Sequence, residues 1–121
     1  MNNIWHKASI KKGIGLGEKI GFPTINLSPI PKQVEHGVYS CEVEIDDYIY
    51  KGVMHIGPKS IGTNNKDEIF CEIHLLDFNK NINNKEVQFK TLKKIRDMRE
   101  FKSADELKLQ IKQDINNAKL S

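Results

Sequence analysis

A two-residue period runs through the segment after Gly37, where every second residue is apolar: Tyr39, Cys41, Val43 and Ile45. Such a period is typical of a β-strand that buries one face. The Asp46-Asp47 pair that follows is a hairpin turn signal, and the alternation resumes in residues 48–53. The sequence therefore predicts an antiparallel hairpin in the middle of the chain.

Other short strand-like segments lie on both sides of this hairpin. These segments are the residues after Pro23, 53–56, 69–78 and 86–92. Clusters of Gly, Pro and Asn separate them. Short strands divided by turn signals favour a small closed barrel.

The end of the chain has a helical period instead. Ser103 and Glu106 have the spacing of a capping box, in which each side chain satisfies a free backbone donor of the other residue. One apolar helix face follows, with members three or four residues apart: Ala104, Leu107, Ile111, Ile115 and Ala118. We expect a helix that packs this face against the barrel.

Composition limits the class of protein. The chain has 121 residues, 38% of them apolar and 29% charged, with a formal net charge of +3. These values predict one soluble globular domain over residues 1–121. No apolar run approaches the roughly 20 residues that cross a membrane, and no apolar signal segment opens the chain. The two cysteines lack zinc-site spacing, so we expect reduced thiols in a cytoplasmic protein without a membrane partner.

A glycine-rich segment precedes the first of these strands. Its glycines let backbone N–H groups approach a phosphate, although a flexible bend between strands would have the same composition. In the block Gly21-Phe-Pro-Thr-Ile-Asn26, alternation puts Thr24 and Asn26 on one side of the strand. A hydroxyl and an amide side by side suit Mg²⁺ or a phosphate oxygen, and the alternative is two polar surface residues after a proline turn.

A carboxylate interrupts the apolar strand-like segment that begins at Ile69. Glu72 either faces solvent by alternation or is a partly desolvated base that accepts a proton from a substrate hydroxyl. His74 shares the face of Glu72, and a lone histidine at such a place is more often structural than catalytic.

The two blocks together resemble the riboflavin kinase (flavokinase) family. The likeness extends from Gly13 through Gly21-Phe-Pro-Thr-Ile-Asn-Leu27 and Glu72-Ile-His-Leu-Leu-Asp-Phe78 to Asp114, and it covers essentially the whole chain. The resemblance implies a mainly β fold, a small six-stranded antiparallel Greek-key barrel with a C-terminal helix. It also implies transfer of the γ-phosphate of Mg-ATP to the 5′-hydroxyl of riboflavin, which gives FMN.

The resemblance also assigns roles to residues. Glu72 falls on the catalytic base, and Thr24 and Asn26 resemble the residues that bind Mg²⁺. The nucleotide would contact Gly13, Gly17, Lys19, Thr24, Asn26, Leu75 and Asp77. The flavin would contact Arg96, Arg99 and Phe101.

Some positions depart from the family pattern: Glu18, Ser60, Ile61, Asn83, Asn84 and Met98. None of them removes the base or the Thr24/Asn26 pair.

Two alternatives to a kinase stay open, a binding module of the same fold without turnover and a small-barrel nucleic-acid-binding protein. The second would use the basic run in residues 90–102, where Phe101 is the one aromatic residue, so we expect no nucleic-acid partner. The chain either stands alone or is linked to an FMN adenylyltransferase domain.

Overall fold

The computed structural model describes residues 4–11, 21–58, 68–78 and 85–120. Within these residues six strands and one helix follow one another: β1 (His6–Lys11), β2 (Ile25–Ser28), β3 (Gly37–Ile45), β4 (Tyr48–Gly57), β5 (Phe70–Leu75), β6 (Glu86–Arg96) and α1 (Ala104–Lys119). The strands form a closed antiparallel barrel in the order β1-β2-β5-β4-β3-β6. Because β6 returns beside β3 after the β3-β4-β5 meander, the connectivity is a Greek key. The expected fold class is confirmed.

Two strands differ from the prediction. Strand β1, which lies before the glycine-rich segment, is absent from the predicted strands, although residues 7–11 alternate between polar and apolar. Strand β4 is continuous, whereas the sequence indicated two strands that meet at Val53. Its Gly52 allows β5 to approach, since an added Cβ would lie 2.8 Å from Ile73 Cγ2 and 3.0 Å from the His74 carbonyl oxygen.

The ends of β5 and β6 also differ from the prediction. Strand β5 stops at Leu75 rather than at Phe78, and the Leu76 N–H donates to the Lys51 carbonyl oxygen at 2.8 Å. Strand β6 continues beyond the predicted Leu92 as far as Arg96, with register shifts against β3.

The inward faces of all six strands form one core. Its largest fully buried members include Phe89, Ile10, Met54 and Ile73. Both cysteines are free and lie in this core, so they serve as small apolar residues. Burial raises the pKa of the Cys71 thiol to about 12, and burial also raises the pKa of the Cys41 thiol.

Helix α1 covers part of the outer face of the barrel. The Glu106 N–H donates to Ser103 Oγ at 3.2 Å, which confirms the predicted start of the helix. Ala118 packs on Val38 and Val53, which point outward from β3 and β4. The predicted apolar face is wrong at its first residue, because Ala104 lies in the exposed first turn. The described residues contain no helix long and apolar enough to cross a membrane.

Candidate functional site

One outward-facing row of cross-strand partners contains a residue from every strand. In barrel order its members are Lys11, Asn26, Glu72, His55, Val38 and Arg96. The row faces outward because the neighbours of its members along the strands, such as Ile10, Leu27 and Cys71, lie in the core. The register therefore brings residues that are distant in sequence onto one surface.

Glu72 lies in the part of this row that α1 leaves uncovered. Its partner on β2 is Asn26 and its partner on β4 is His55. All three residues are half-buried. Directly opposite Cβ atoms in an antiparallel sheet are about 4.5–5.5 Å apart, so the carboxylate has an amide on one side and an imidazole on the other. This arrangement can hold a polar substrate group against a proton acceptor.

Thr24 lies just before β2, two residues from Asn26 along the chain. The segment that contains it is joined to β5 by His74, whose Nδ1–H donates to the Pro23 carbonyl oxygen at 2.8 Å. The His74 ring also meets Phe22 edge to face, with 5.6 Å between ring centroids. Thr24, Asn26 and Glu72 therefore lie in one region, and His74 has the structural contacts that its position suggested.

The end of β4 connects this region to the segment after β6. The His55 Nε2–H donates to the Pro58 carbonyl oxygen at 2.9 Å, which fixes the chain as it leaves the strand. Gly57 has φ +145°, and a Cβ there would lie 3.0–3.2 Å from the side chain of Met98. A glycine thus allows the 97–102 segment to pack close to the Glu72 region.

The three flavin candidates, Arg96, Arg99 and Phe101, form one network with α1. The Arg96 Nε and Nη2 donate to the two carboxylate oxygens of Asp114, each at 2.9 Å, and Asp114 is 1% exposed. Gln110 Nε2 donates to Asp114 Oδ1 at 3.0 Å, and Arg99 Nη1 donates to Gln110 Oε1 at 3.3 Å. The guanidinium carbons of Arg96 and Arg99 lie 5.6 and 4.6 Å from the centroid of the Phe101 ring.

This network limits which of the three residues can contact a flavin. Phe101 is 5% exposed, so its ring is part of the protein interior in this conformation. Arg96 is half-buried and engaged with Asp114, whereas Arg99 is exposed. Among the three, Arg99 is the one best placed to meet a ligand.

Lys94, near the end of β6, joins the segment that follows β6 to the chain before β3. Its ammonium group contacts the Asp97 carboxylate at 2.6 Å and also forms a salt bridge with Glu35. The hydrogen bond from Lys94 lowers the pKa of Asp97.

Two further nucleotide candidates, Leu75 and Asp77, are not brought to the Glu72 face. The Leu75 side chain points into the core, and Asp77 lies in the exposed turn after β5 with φ +55°. Gly13, Gly17 and Lys19 lie outside the described residues, as do five of the departures from the family pattern: Glu18, Ser60, Ile61, Asn83 and Asn84.

Two residues of this region had no role in the sequence-based expectations. His55 joins the row only through the β4–β5 register, which no local pattern reveals. Asp114 belongs to the family likeness without an assigned role, and its position four residues after Gln110 places the two side chains on one face of the helix, beside the apolar stripe.

Comparisons with known proteins agree with this architecture. The family model described as flavokinase, riboflavin kinase, matches residues 2–121. The RNA-binding riboflavin kinase RibR of Bacillus subtilis is 37% identical over 109 residues, which cover 89% of this chain and 46% of that protein. The bifunctional riboflavin kinase/FMN adenylyltransferase of Haemophilus influenzae is 38% identical over 110 residues, 88% of this chain and 35% of that protein.

A solved structure shares the fold. The macrolide-efflux protein from Streptococcus pneumoniae superposes with a TM-score of 0.82 at 31% identity, over 95% of this chain and 38% of that chain. The chain spans less than half the length of each of these proteins. The match to the family model over nearly the whole sequence nevertheless shows that the chain belongs to the riboflavin kinase family.

Proposed function

We propose that the chain, as one domain over residues 1–121, transfers the γ-phosphate of Mg-ATP to the 5′-hydroxyl of riboflavin and releases FMN and ADP. The observation that carries the proposal is the cross-strand adjacency of Asn26 and Glu72, with Thr24 beside them. It unites an acidic proton acceptor with neutral oxygen groups that can face a metal–phosphate complex.

Glu72 acts as the general base. Its carboxylate accepts the proton of the ribityl hydroxyl while that oxygen forms a bond to the γ-phosphorus and the bond to the β-phosphate oxygen of ADP breaks. Phosphoryl transfer requires mainly positioning and charge neutralisation from a protein, so the base contributes by orienting the hydroxyl as well as by taking its proton.

The Thr24 hydroxyl and the Asn26 amide oxygen would hold Mg²⁺. Among the described residues, no group of three or more His, Cys, Asp and Glu side chains could hold a metal ion. A pair of neutral oxygens fits Mg²⁺ all the same, because this ion commonly binds through a few protein oxygens together with substrate phosphates and water. When bound, the ion neutralises phosphate charge.

The flavin would lie between the uncovered row and the 97–102 segment. Arg99 is exposed at the surface of that segment, where it can meet a polar edge of the ring system or the product phosphate. Phe101 would support Arg99 from the interior, since its ring lies beneath that guanidinium. Protection of the segment from a protease by flavin plus Mg-ADP would support this placement.

The test is a chromatographic assay of FMN and ADP formed from riboflavin and ATP, with and without Mg²⁺. We expect equal amounts of the two products, dependent on Mg²⁺, and formation of both at least about a hundredfold slower in Glu72→Gln. Glu44→Gln is the matched control, because Glu44 is a half-buried, outward-facing strand glutamate on the distant β3. Riboflavin binding without FMN formation would instead indicate a binding module.

The nucleic-acid alternative has little support from the charges of the described residues. Three of the six cations in residues 90–102 form ion pairs: Lys90 with Glu42 at 3.5 Å, Lys94 with two carboxylates, and Arg96 with Asp114. Cations that are already paired contribute little to phosphate binding, which depends on the release of counterions from the nucleic acid. We therefore favour the kinase.

A further inference from the structure

His74 is the next outward-facing residue after Glu72 on β5, and the proposed mechanism gives it no part. Its imidazole makes two contacts with the segment before β2. The Nδ1–H donates to the Pro23 carbonyl oxygen at 2.8 Å, and the ring meets Phe22 at an interplanar angle of 89°. Both contacts cross from β5 to the chain that leads into Thr24.

The acceptor of this hydrogen bond, the Pro23 carbonyl oxygen, lies directly before Thr24 in the chain. Proline has no backbone N–H, so its carbonyl oxygen is the one main-chain group through which Pro23 can be held. On the other side of Thr24, Ile25 pairs with Ile73 in the β2–β5 ladder. Thr24 therefore lies between two attachments to β5, the strand that contains Glu72.

We infer that His74 is a positioning residue, which fixes the Thr24 hydroxyl relative to Glu72 through the Pro23 carbonyl. This inference rests on the proposed function. Without the hydrogen bond, the chain before Thr24 keeps the ring contact of Phe22 but loses its polar attachment to β5, and the Thr24 oxygen samples positions that bind Mg-ATP less well. The net contribution of one such hydrogen bond corresponds to a change of about three- to tenfold in binding.

Two substitutions separate the hydrogen bond from the ring contact. His74→Phe keeps a ring against Phe22 and removes the donor. His74→Asn removes the ring and keeps an N–H donor close to the position of Nδ1. His36→Phe is the matched control, because His36 is an exposed histidine in the chain before β3.

The first readout is steady-state kinetics with Mg-ATP as the varied substrate. We expect His74→Phe to raise the KM for Mg-ATP about three- to tenfold with a smaller change in kcat, and His74→Asn to return the KM to within about twofold of wild type. A purely structural role for the ring predicts the reverse order of the two variants. That reverse order, or an unchanged KM in His74→Phe, would overturn the inference.

The second readout does not need turnover. Amide hydrogen exchange at Thr24 and Ile25 is expected to be faster in His74→Phe than in wild type, His74→Asn and His36→Phe. Equal exchange in all four proteins would refute the positioning role even if the enzyme is active. The two proposals can also fail separately. If the wild-type protein forms no FMN but exchange is faster in His74→Phe alone, the proposed function is refuted and the attachment by His74 is supported.

Discussion

Replacement of Asp114 by alanine tests the network that joins β6 to α1. The Asp114 carboxylate accepts two hydrogen bonds from Arg96, each at 2.9 Å, and a third from Gln110 at 3.0 Å. Its side chain is 2% exposed and that of Arg96 is 17% exposed. The variant thus leaves a largely buried guanidinium without its counter-charge, which is the costly way to break an ion pair.

The expected loss follows from this burial. Breaking a buried pair by removing one partner typically costs about 3–5 kcal/mol. Arg96 keeps some access to water and can rotate outward, so the lower end applies, and we expect Asp114→Ala to lose about 3 kcal/mol of unfolding free energy. For a domain of this size, such a loss lowers Tm by about 10 °C. Asp114→Asn keeps the shape and an acceptor, and should lose less.

Urea unfolding followed by circular dichroism and by the fluorescence of Trp5 measures this loss. The matched control is Lys85→Met, which removes the contact of Lys85 with Asp46 at 2.6 Å. That contact is shorter than the Arg96–Asp114 contact, but its side chains are 39% and 63% exposed, so we expect less than about 1 kcal/mol. A loss in Asp114→Ala no greater than in Lys85→Met would refute the argument that burial, rather than distance, sets the strength of these pairs.

Three further predictions concern the proposed active site and the core. In Glu72→Gln, kcat should fall at least about a hundredfold with near-normal substrate binding, and a near-native kcat would mean that the base lies elsewhere. Thr24→Val, which keeps a β-branched side chain, should leave the unfolding free energy nearly unchanged and raise the Mg²⁺ concentration needed for turnover; wild-type activity at limiting Mg²⁺ would exclude Thr24 as a ligand. The buried thiols of Cys41 and Cys71 should react with a thiol reagent only after unfolding. Because the pKa of Cys71 rises from 9.0 to about 12 on folding, stability should also decline as pH increases above about 9, and rapid modification of the native protein would contradict their burial.

Local patterns in the sequence were sufficient for the β3–β4 hairpin and for the start of α1. The hairpin depends on a two-residue period and on Asp46 and Asp47, which both adopt the positive φ that the tight turn needs. The helix start depends on Ser103, whose hydroxyl caps a nearby N–H. Each of these signals lies within a few residues of the structure that it determines.

Other features depend on partners that are distant along the chain. Strand β1 is stabilised by β2 on one side and β6 on the other, and its own alternation is short, with Ala8 and Ile10 as the buried apolar members. The adjacency of Asn26 and Glu72 follows from the β2–β5 register, although the resemblance had already paired them in function. Arg96 was expected at the flavin, and only the packing of α1 brings it to Asp114.

The closure of the barrel between β1 and β6 has a consequence for the order of folding during synthesis. Of the described strands the ribosome makes β1 first, yet one of its two partners is β6, the last of them. Until β6 emerges, β1 and β3 each have an unsatisfied edge, and the nascent sheet stays open to pairing with other polypeptides. Closure is therefore a late, non-local event, and such high contact order is characteristic of domains that fold in milliseconds to seconds rather than microseconds.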